Sequence, residues 1–137
     1  MKRAFGPIIS MIIMMVILVG CSAKYLPDWI TEEMLVSEAT EVISVLSSRD
    51  YAAVIEMYRE DLKSELTTEL LSDAMDGKFD ELGAFVRCKN AIVGSDTDMD
   101  TNDVTVFCIV FGEYENGSLL YRIVFDDSMI LVGLFNM

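Results

Sequence analysis

The stretch 104-VTVFCIVFGEYENGSLLYRIVF-125 decides the fold, because it predicts two long neighbouring strands. Residues 104–113 and 118–125 are rich in β-branched and aromatic side chains, which favour strands. Asn116-Gly117 between them is typical of a two-residue hairpin turn, since both central positions of that turn need positive φ. We therefore expect an antiparallel hairpin in which residue 115 faces 118, 108 faces 125 and 110 faces 123.

Two further strands are predicted beside this hairpin, at residues 85–93 and 129–135. If the loop around Asp98 is symmetric, Cys88 faces Cys108, Val86 faces Val110 and Ile92 faces Val104. One face of the predicted sheet then carries Val86, Cys88, Ile92, Val104, Val106, Cys108, Val110, Ile123 and Phe125. The opposite face carries Phe85, Phe107, Ile109, Phe111, Leu120 and Val124, interrupted by Arg87, Lys89 and Arg122.

Helical periodicity dominates the part of the chain between residues 28 and 83. The expected helices are one from Asp28 to about Ser48, one from Asp50 to Leu62, and one opened by Thr67 or Thr68, with Gly77 and Gly83 as terminators. A helical half followed by a strand-rich half predicts an α+β fold, with helices packed on a four-stranded antiparallel sheet.

Both faces of the predicted sheet are largely apolar, although helices can cover only one of them. An antiparallel sheet with one face in water normally alternates apolar and polar residues. The side chains of Phe107, Ile109 and Phe111 therefore predict a partner surface on the uncovered face. We expect this face to bind a second copy of the chain or another protein.

The N-terminal segment has the layout of an export signal. A Lys-Arg pair at positions 2 and 3 precedes an apolar run that ends at Val19. A spanning helix usually wants ~20 apolar residues, and this run is shorter. Leu18-Val19-Gly20-Cys21 resembles the lipobox of bacterial lipoprotein precursors. That resemblance implies cleavage between Gly20 and Cys21 and acylation of Cys21. An uncleaved N-terminal membrane helix is the alternative.

The predicted organisation is a lipoprotein signal peptide (1–20), a lipidated tether (21–27) and a single domain (28–137). Removal of the signal leaves 117 residues and changes the formal net charge from −13 to −15, because Lys2 and Arg3 are lost. So acidic a chain repels nucleic acid and anionic lipid headgroups. We therefore expect no nucleic-acid partner, and anchoring by acyl chains on Cys21 at the extracytoplasmic side of the bacterial cell membrane.

Three quoted segments carry a resemblance to a known class of domain: SSRDYAAVIEMYREDLKSELTTELL (47–71), GAFVRCKNAIVG (83–94) and MILVGLF (129–135). Together with the central strands they resemble uncharacterised bacterial lipoprotein domains of the nuclear-transport-factor-two-like class, over about residues 38–135. The resemblance implies a cone-shaped, cystatin-like α+β fold with a curved sheet and a pocket, and it implies no known activity. The segment from Asp76 to Leu82 departs from the class, since it is short and polar for a helix at the mouth of the cone.

The absence of histidine from the chain removes the usual Ser-His-Asp and Cys-His nucleophile systems and most catalytic zinc sites. No phosphate loop, nucleophile elbow or C-x-x-C motif occurs. We predict no catalytic residue, metal or cofactor. Tyr58 and Tyr121 are the candidates for polar groups in a cone-shaped pocket, although each is more simply interpreted as a core aromatic whose hydroxyl lies at the rim.

The segment SDTDMDTND (95–103) superficially resembles a calcium loop, because aspartates alternate in it. At the positions where that loop needs Gly and a bidentate Glu, this chain has Thr101 and Phe107. We therefore interpret it as a solvated hairpin loop. Cys88 and Cys108 would lie opposite each other in the predicted register, and either a disulfide or two buried thiols fits that position.

Three classes of function follow from these patterns. The leading hypothesis is a non-enzymatic interaction or dimerisation module, held at the membrane by lipid and using the apolar sheet face. The second is a small-ligand binder that uses the cone interior near Tyr58 and Tyr121. The third is a small isomerase-like enzyme, for which the chain offers no recognised catalytic motif.

Overall fold

The computed structural model describes residues 26–137, so the predicted signal peptide, its cleavage site at Gly20 and Cys21, and most of the tether lie outside the described residues. The helices are α1 (Glu32–Ser47), α2 (Tyr51–Met57), α3 (Glu60–Lys63) and α4 (Thr68–Leu82). The strands are β1 (Phe85–Thr97), β2 (Val104–Tyr114), β3 (Gly117–Phe125) and β4 (Leu131–Asn136). The predicted α+β class and four-stranded antiparallel sheet are confirmed, with strand order β1-β2-β3-β4.

The longer helices begin at side chains that cap them. The hydroxyl of Thr31 accepts from the N–H of Met34 at 3.2 Å, and Thr67 caps α4 in the same way. The N-cap of the first helix is therefore Thr31 and not Asp28, which lies in a preceding turn. Gly83 ends α4 with φ of +78°, a conformation that favours glycine, whereas Gly77 lies inside the helix.

The predicted second helix is divided, because its middle pairs with the sheet. After Met57 the backbone becomes extended, and Tyr58 forms a parallel bridge with Leu131. The N–H of Arg59 donates to the Leu131 carbonyl at 2.9 Å. This pairing with the start of β4 replaces the helical hydrogen bonds that the periodicity alone predicted.

The central hairpin has the predicted faces but a turn that lies one residue earlier. Tyr114 pairs with Gly117, so Glu115 and Asn116 form the turn and residue 108 faces 123, not 125. The turn N–H groups of Glu115 and Asn116 donate to the carbonyls of Ala84 and Leu82 at 3.0 and 2.8 Å. Docking against the end of α4 thus sets the register. Because the shift is two residues, each side chain keeps its predicted face.

The predicted pairing of β1 with β2 is wrong. β1 continues to Thr97, and Cys88 pairs with Gly112 while Cys108 pairs with Val93. The register also shifts between Phe85 and Arg87 and between Lys89 and Ile92. Each such bulge inverts the alternation of side chains. Phe85 consequently packs against the core, while Val86 and Ile92, both predicted on the core face, are exposed.

Helix α1 packs on β1 and β2, and the core lies between it and one face of the sheet. The core is formed by Leu35, Ala39, Val42, Ile43 and Leu46 of α1, with Val106, Cys108, Val110, Ile123, Phe125 and Leu131 of the sheet. Within residues 26–137, no helix combines the length and apolarity needed to cross a membrane.

Candidate interaction surface

The side of the sheet turned away from α1 is the surface of interest. From Thr105 to Tyr114 of β2, half-buried residues on this side alternate with buried residues that face the core. We call this side the outer sheet face; its apolar members are Ile92, Phe107, Ile109, Phe111, Leu120, Val124 and Phe135. The predicted interface residues Phe107, Ile109 and Phe111 therefore lie together on one face, as expected.

Two glycines allow aromatic rings to lie close to the backbone of this face. A Cβ added at Gly94 would approach the ring of Phe107 to 2.5 Å, and one added at Gly133 would approach the ring of Phe135 to 2.8 Å. Each ring thus occupies the place of a missing side chain. Glycine at these two positions therefore lets the rings lie against the strand backbone, a close approach that a side chain there would prevent.

Charged side chains on the outer sheet face are mostly paired with one another. Arg122 contacts Asp96 at 2.9 Å, and its guanidinium carbon lies 4.8 Å from the centroid of the Phe107 ring. Arg87 contacts Glu113 at 2.6 Å, and this guanidinium lowers the pKa of the Glu113 carboxyl. The face carries Arg87, Lys89 and Arg122 but only Asp96 and Glu113 as acids, on a chain of 23 acidic and 10 basic residues.

The interior behind the sheet is occupied by tyrosines. Tyr121 has no exposed surface, and its hydroxyl shares a hydrogen bond of 2.6 Å with that of Tyr114, which shares another of 2.8 Å with Ser47. A Cβ at Gly112 would lie only 2.9 Å from the Tyr121 ring. Burial raises the pKa of Tyr121, and the hydrogen bond with Tyr114 adds to the effect. This hydroxyl is therefore a neutral part of the packed core.

Tyr58, the other candidate for a pocket, is also buried. Burial raises its pKa, and its backbone holds the bridge to Leu131 described above. Tyr121 has Tyr114 as its hydrogen-bond partner, a residue that the sequence patterns did not indicate. Its position two residues beyond Gly112 on the same strand face is the signal that links it to Tyr121.

A second polar cluster joins the loop after α1 to α4. The Tyr51 hydroxyl donates to Asp76, and Arg49 lies 3.6 Å from Asp76 and 2.8 Å from Asp80. Burial raises the pKa of Tyr51 to about 12, assisted by the hydrogen bond to Asp76. The polar residues 76–82, which departed from the resemblance, thus hold α4 against the loop at Arg49.

Several aspartates lie in the β1–β2 and β3–β4 loops, at the end of the sheet opposite the Glu115–Asn116 turn, and some of their carboxylates bond to the loop backbone. They line a cleft of about 420 Å³ together with Arg59. One Asp98 oxygen accepts from the N–H of Asp100 at 2.9 Å, and one Asp126 oxygen accepts from the N–H groups of Ser128 and Ile130, each at 2.9 Å. Among the described residues, His, Cys, Asp and Glu form no group of three or more that could hold a metal ion.

The two described cysteines are free thiols in the structure. Cys88 pairs with Gly112 and Cys108 with Val93, so the two cysteines do not face each other as the disulfide alternative required. Burial raises the pKa of Cys108 to about 11 and also raises that of Cys88. Both thiols are therefore protonated at neutral pH and poorly nucleophilic.

Comparison with known proteins gives a structural neighbour and a family. The chain is similar to a protein from Ruminococcus gnavus ATCC 29149 whose structure was solved by NMR. The two are 26% identical with a TM-score of 0.72, over 82% of this chain and 96% of that one. A search of curated proteins finds no match. The model of the family described as "Protein of unknown function (DUF3887)" matches residues 39–134, more than half of the chain, and the chain therefore belongs to the DUF3887 family.

Proposed function

We propose that this protein is a lipid-anchored interaction module of the bacterial envelope, and that it forms a homodimer through the outer sheet face. The observation that carries the proposal is the row of apolar side chains left half-buried or exposed on that face, including Ile92, Ile109 and Phe135. A fully solvated sheet face would be expected to carry polar residues there. A partner that covers it removes apolar surface from water.

The charge distribution allows two copies of the chain to meet at the outer sheet face. The net charge is strongly negative, so two copies repel each other over most of their surfaces. The outer sheet face is an exception, because its three basic and two acidic groups nearly balance. An isologous contact also needs a self-complementary patch, and an apolar face with charges of both signs meets that requirement.

The anchor in this proposal is Cys21, acylated after cleavage behind Gly20, which places the domain on the extracytoplasmic side of the cell membrane. The lipobox-like Leu18-Val19-Gly20-Cys21 after a basic and apolar segment supports it. Two or more acyl chains give stable attachment, whereas one gives marginal binding. The strongly acidic domain offers no electrostatic substitute.

We also propose that the domain has the cone-shaped, nuclear-transport-factor-two-like form, which the order of helices and antiparallel strands supports. Tyr121 and its hydrogen-bonded neighbour Tyr114 are buried on the helix side of the sheet, the side on which such a cone would have its interior. This packing favours an interaction surface outside the sheet over a small-molecule pocket inside it.

Native mass spectrometry of the full-length protein, purified from membranes in detergent, tests both parts. We expect twice the protomer mass, with each protomer carrying the added mass of acyl chains. A Cys21→Ser variant should lose the added lipid and remain dimeric. A monomer at micromolar concentration would contradict the interface, and an unmodified Cys21 in the wild type would contradict the anchor. A complex with a different protein would contradict the choice of partner.

A further inference from the structure

A second apolar patch lies where the chain enters the domain. Trp29, Met34 and Ile130 are exposed. Met34 shares a cleft with Ile30 and with Met129 of the turn between β3 and β4, and Trp29 and Ile130 are the chain neighbours of Ile30 and Met129. We call Trp29, Met34, Met129 and Ile130 the entry patch. Met34 and Met129 line one cleft of about 350 Å³ with Ile30, so the start of α1 and the β3–β4 turn form one continuous surface.

The geometry of the entry patch is fixed by the backbone. The N–H of Ile30 donates to the Pro27 carbonyl at 3.3 Å and closes the turn that carries Trp29. On the other side, Asp126 holds the turn by accepting from the N–H of Ile130, and Arg59 lies 3.5 Å from the same carboxylate. The exposed side chains are therefore presented on an ordered surface, at a modest entropic cost for any partner that covers them.

The position of the patch along the chain indicates what covers it. Trp29 lies eight positions after Cys21. A fully extended chain of that length spans at most roughly 28 Å, at about 3.5 Å per residue. If Cys21 is acylated, as proposed above, the entry patch is held within this distance of the bilayer surface. The nearest apolar medium is then the membrane itself.

We propose that the entry patch inserts into the interface of the membrane that holds the acyl chains, with Trp29 as its deepest side chain. The indole suits this position, since its ring is apolar and its N–H finds partners among the headgroups. An apolar surface of this kind is buried roughly 5–10 Å into the boundary between headgroups and acyl chains. The contact fixes the orientation of the domain, so the outer sheet face is presented at a constant angle.

The acidic residues around the entry patch determine which lipid headgroups it can approach. Glu33 and Glu38 line the same cleft, and Asp28 and Glu32 flank Trp29 in sequence. These carboxylates repel anionic headgroups. The partner is therefore a zwitterionic bilayer, and the contact weakens as the anionic lipid content rises.

The chain contains a single tryptophan, so the tryptophan fluorescence of the protein reports on Trp29 alone. The full-length lipidated protein is reconstituted into phosphatidylcholine vesicles whose acyl chains carry bromine, and its fluorescence is compared with that in unbrominated vesicles. We expect quenching by the brominated lipid, a blue-shifted emission and protection from iodide in the water. The variants Met34→Glu and Ile130→Glu should reduce the quenching, whereas Leu70→Glu, an equally exposed position on α4, should leave it unchanged.

The possible failures are distinguishable. If Trp29 is quenched by iodide and not by bromine, the protein is anchored but the patch remains in water, and the inference is overturned. Protection from both quenchers would mean that protein covers the patch, which overturns it equally. If mass spectrometry finds no lipid on Cys21 and the protein does not sediment with vesicles, the proposed anchor itself has failed. The inference then falls with it.

Discussion

The hydroxyls of Tyr114 and Tyr121 lie 2.6 Å apart in the core, and within residues 26–137 Tyr114 alone of the two has a further hydrogen bond, to Ser47. This asymmetry predicts different costs for two similar substitutions. Tyr121→Phe removes one hydrogen bond but leaves Tyr114 bonded to Ser47, so we expect a loss of about 1 kcal/mol in unfolding free energy. Tyr114→Phe leaves the Tyr121 hydroxyl buried without this partner, so we expect a larger loss of about 1–3 kcal/mol. Urea denaturation of both variants checks the order, and a greater loss for Tyr121→Phe would contradict it.

Gly112 and Gly77 provide a matched pair of alanine substitutions with opposite signs. At Gly112 the new Cβ would lie 2.9 Å from the Tyr121 ring and 3.2 Å from that of Tyr114, so overpacking should cost about 1–3 kcal/mol. At Gly77 the new Cβ would meet nothing within 4 Å beyond its chain neighbours and its own helix backbone, so alanine should raise the unfolding free energy by about 0.5–1 kcal/mol. Thermal unfolding of the two variants provides the measurement. Equal melting temperatures would show that the tyrosines adjust freely.

The stability of the fold should fall at high pH because of Cys108. Its pKa is raised by burial from 9.0 to about 11, so the folded state retains the proton more strongly than the unfolded chain does. This contribution is complete below pH 9 and is lost as the pH rises towards 11, by about 2–3 kcal/mol at 1.36 kcal/mol per unit. Urea denaturation between pH 8 and 11 measures it, with Cys108→Ala as the control that should show a shallower decline. Identical slopes would mean that the thiol titrates alike in both states.

The sequence predicted the content of each face of the central hairpin but not its turn. Alternation in residues 104–125 was sufficient to place Phe107, Ile109 and Phe111 together, because a shift of two residues preserves the faces. The turn depends on hydrogen bonds to the carbonyls of Leu82 and Ala84, which are distant in sequence. The pattern of residues 104–125 alone therefore could not predict the position of the turn.

The predicted pairing of β1 with β2 was wrong for a similar reason. Two bulges invert the alternation, so Val86 and Ile92 are exposed where a regular strand would bury them. Asn90, with φ of +58°, lies at the second bulge, and an asparagine within a strand pattern is a weak sign of such a conformation. The division of the predicted second helix also follows from a tertiary contact, that of Tyr58 with Leu131.

The buried pair of Tyr114 and Tyr121 could be predicted only in part from the sequence. Tyr121 is an obvious core candidate, but its bond to Tyr114 requires the exact register of the hairpin and the space left by Gly112. The cluster of Tyr51, Asp76 and Arg49 joins residues on separate helices and loops, so spacing along the chain gives no indication of it.

The central claim, dimerisation through the outer sheet face, is tested most directly by comparing two acidic substitutions at equally exposed positions. Phe135 lies on that face with 55% of its surface exposed, and Leu70 lies on α4 with 54% exposed. Neither Phe135→Glu nor Leu70→Glu should unfold the domain, which circular dichroism checks. Sedimentation equilibrium of the full-length protein in detergent should then give a dimer for the wild type and Leu70→Glu, and a monomer for Phe135→Glu. A folded Phe135→Glu protein that remains dimeric would contradict the account.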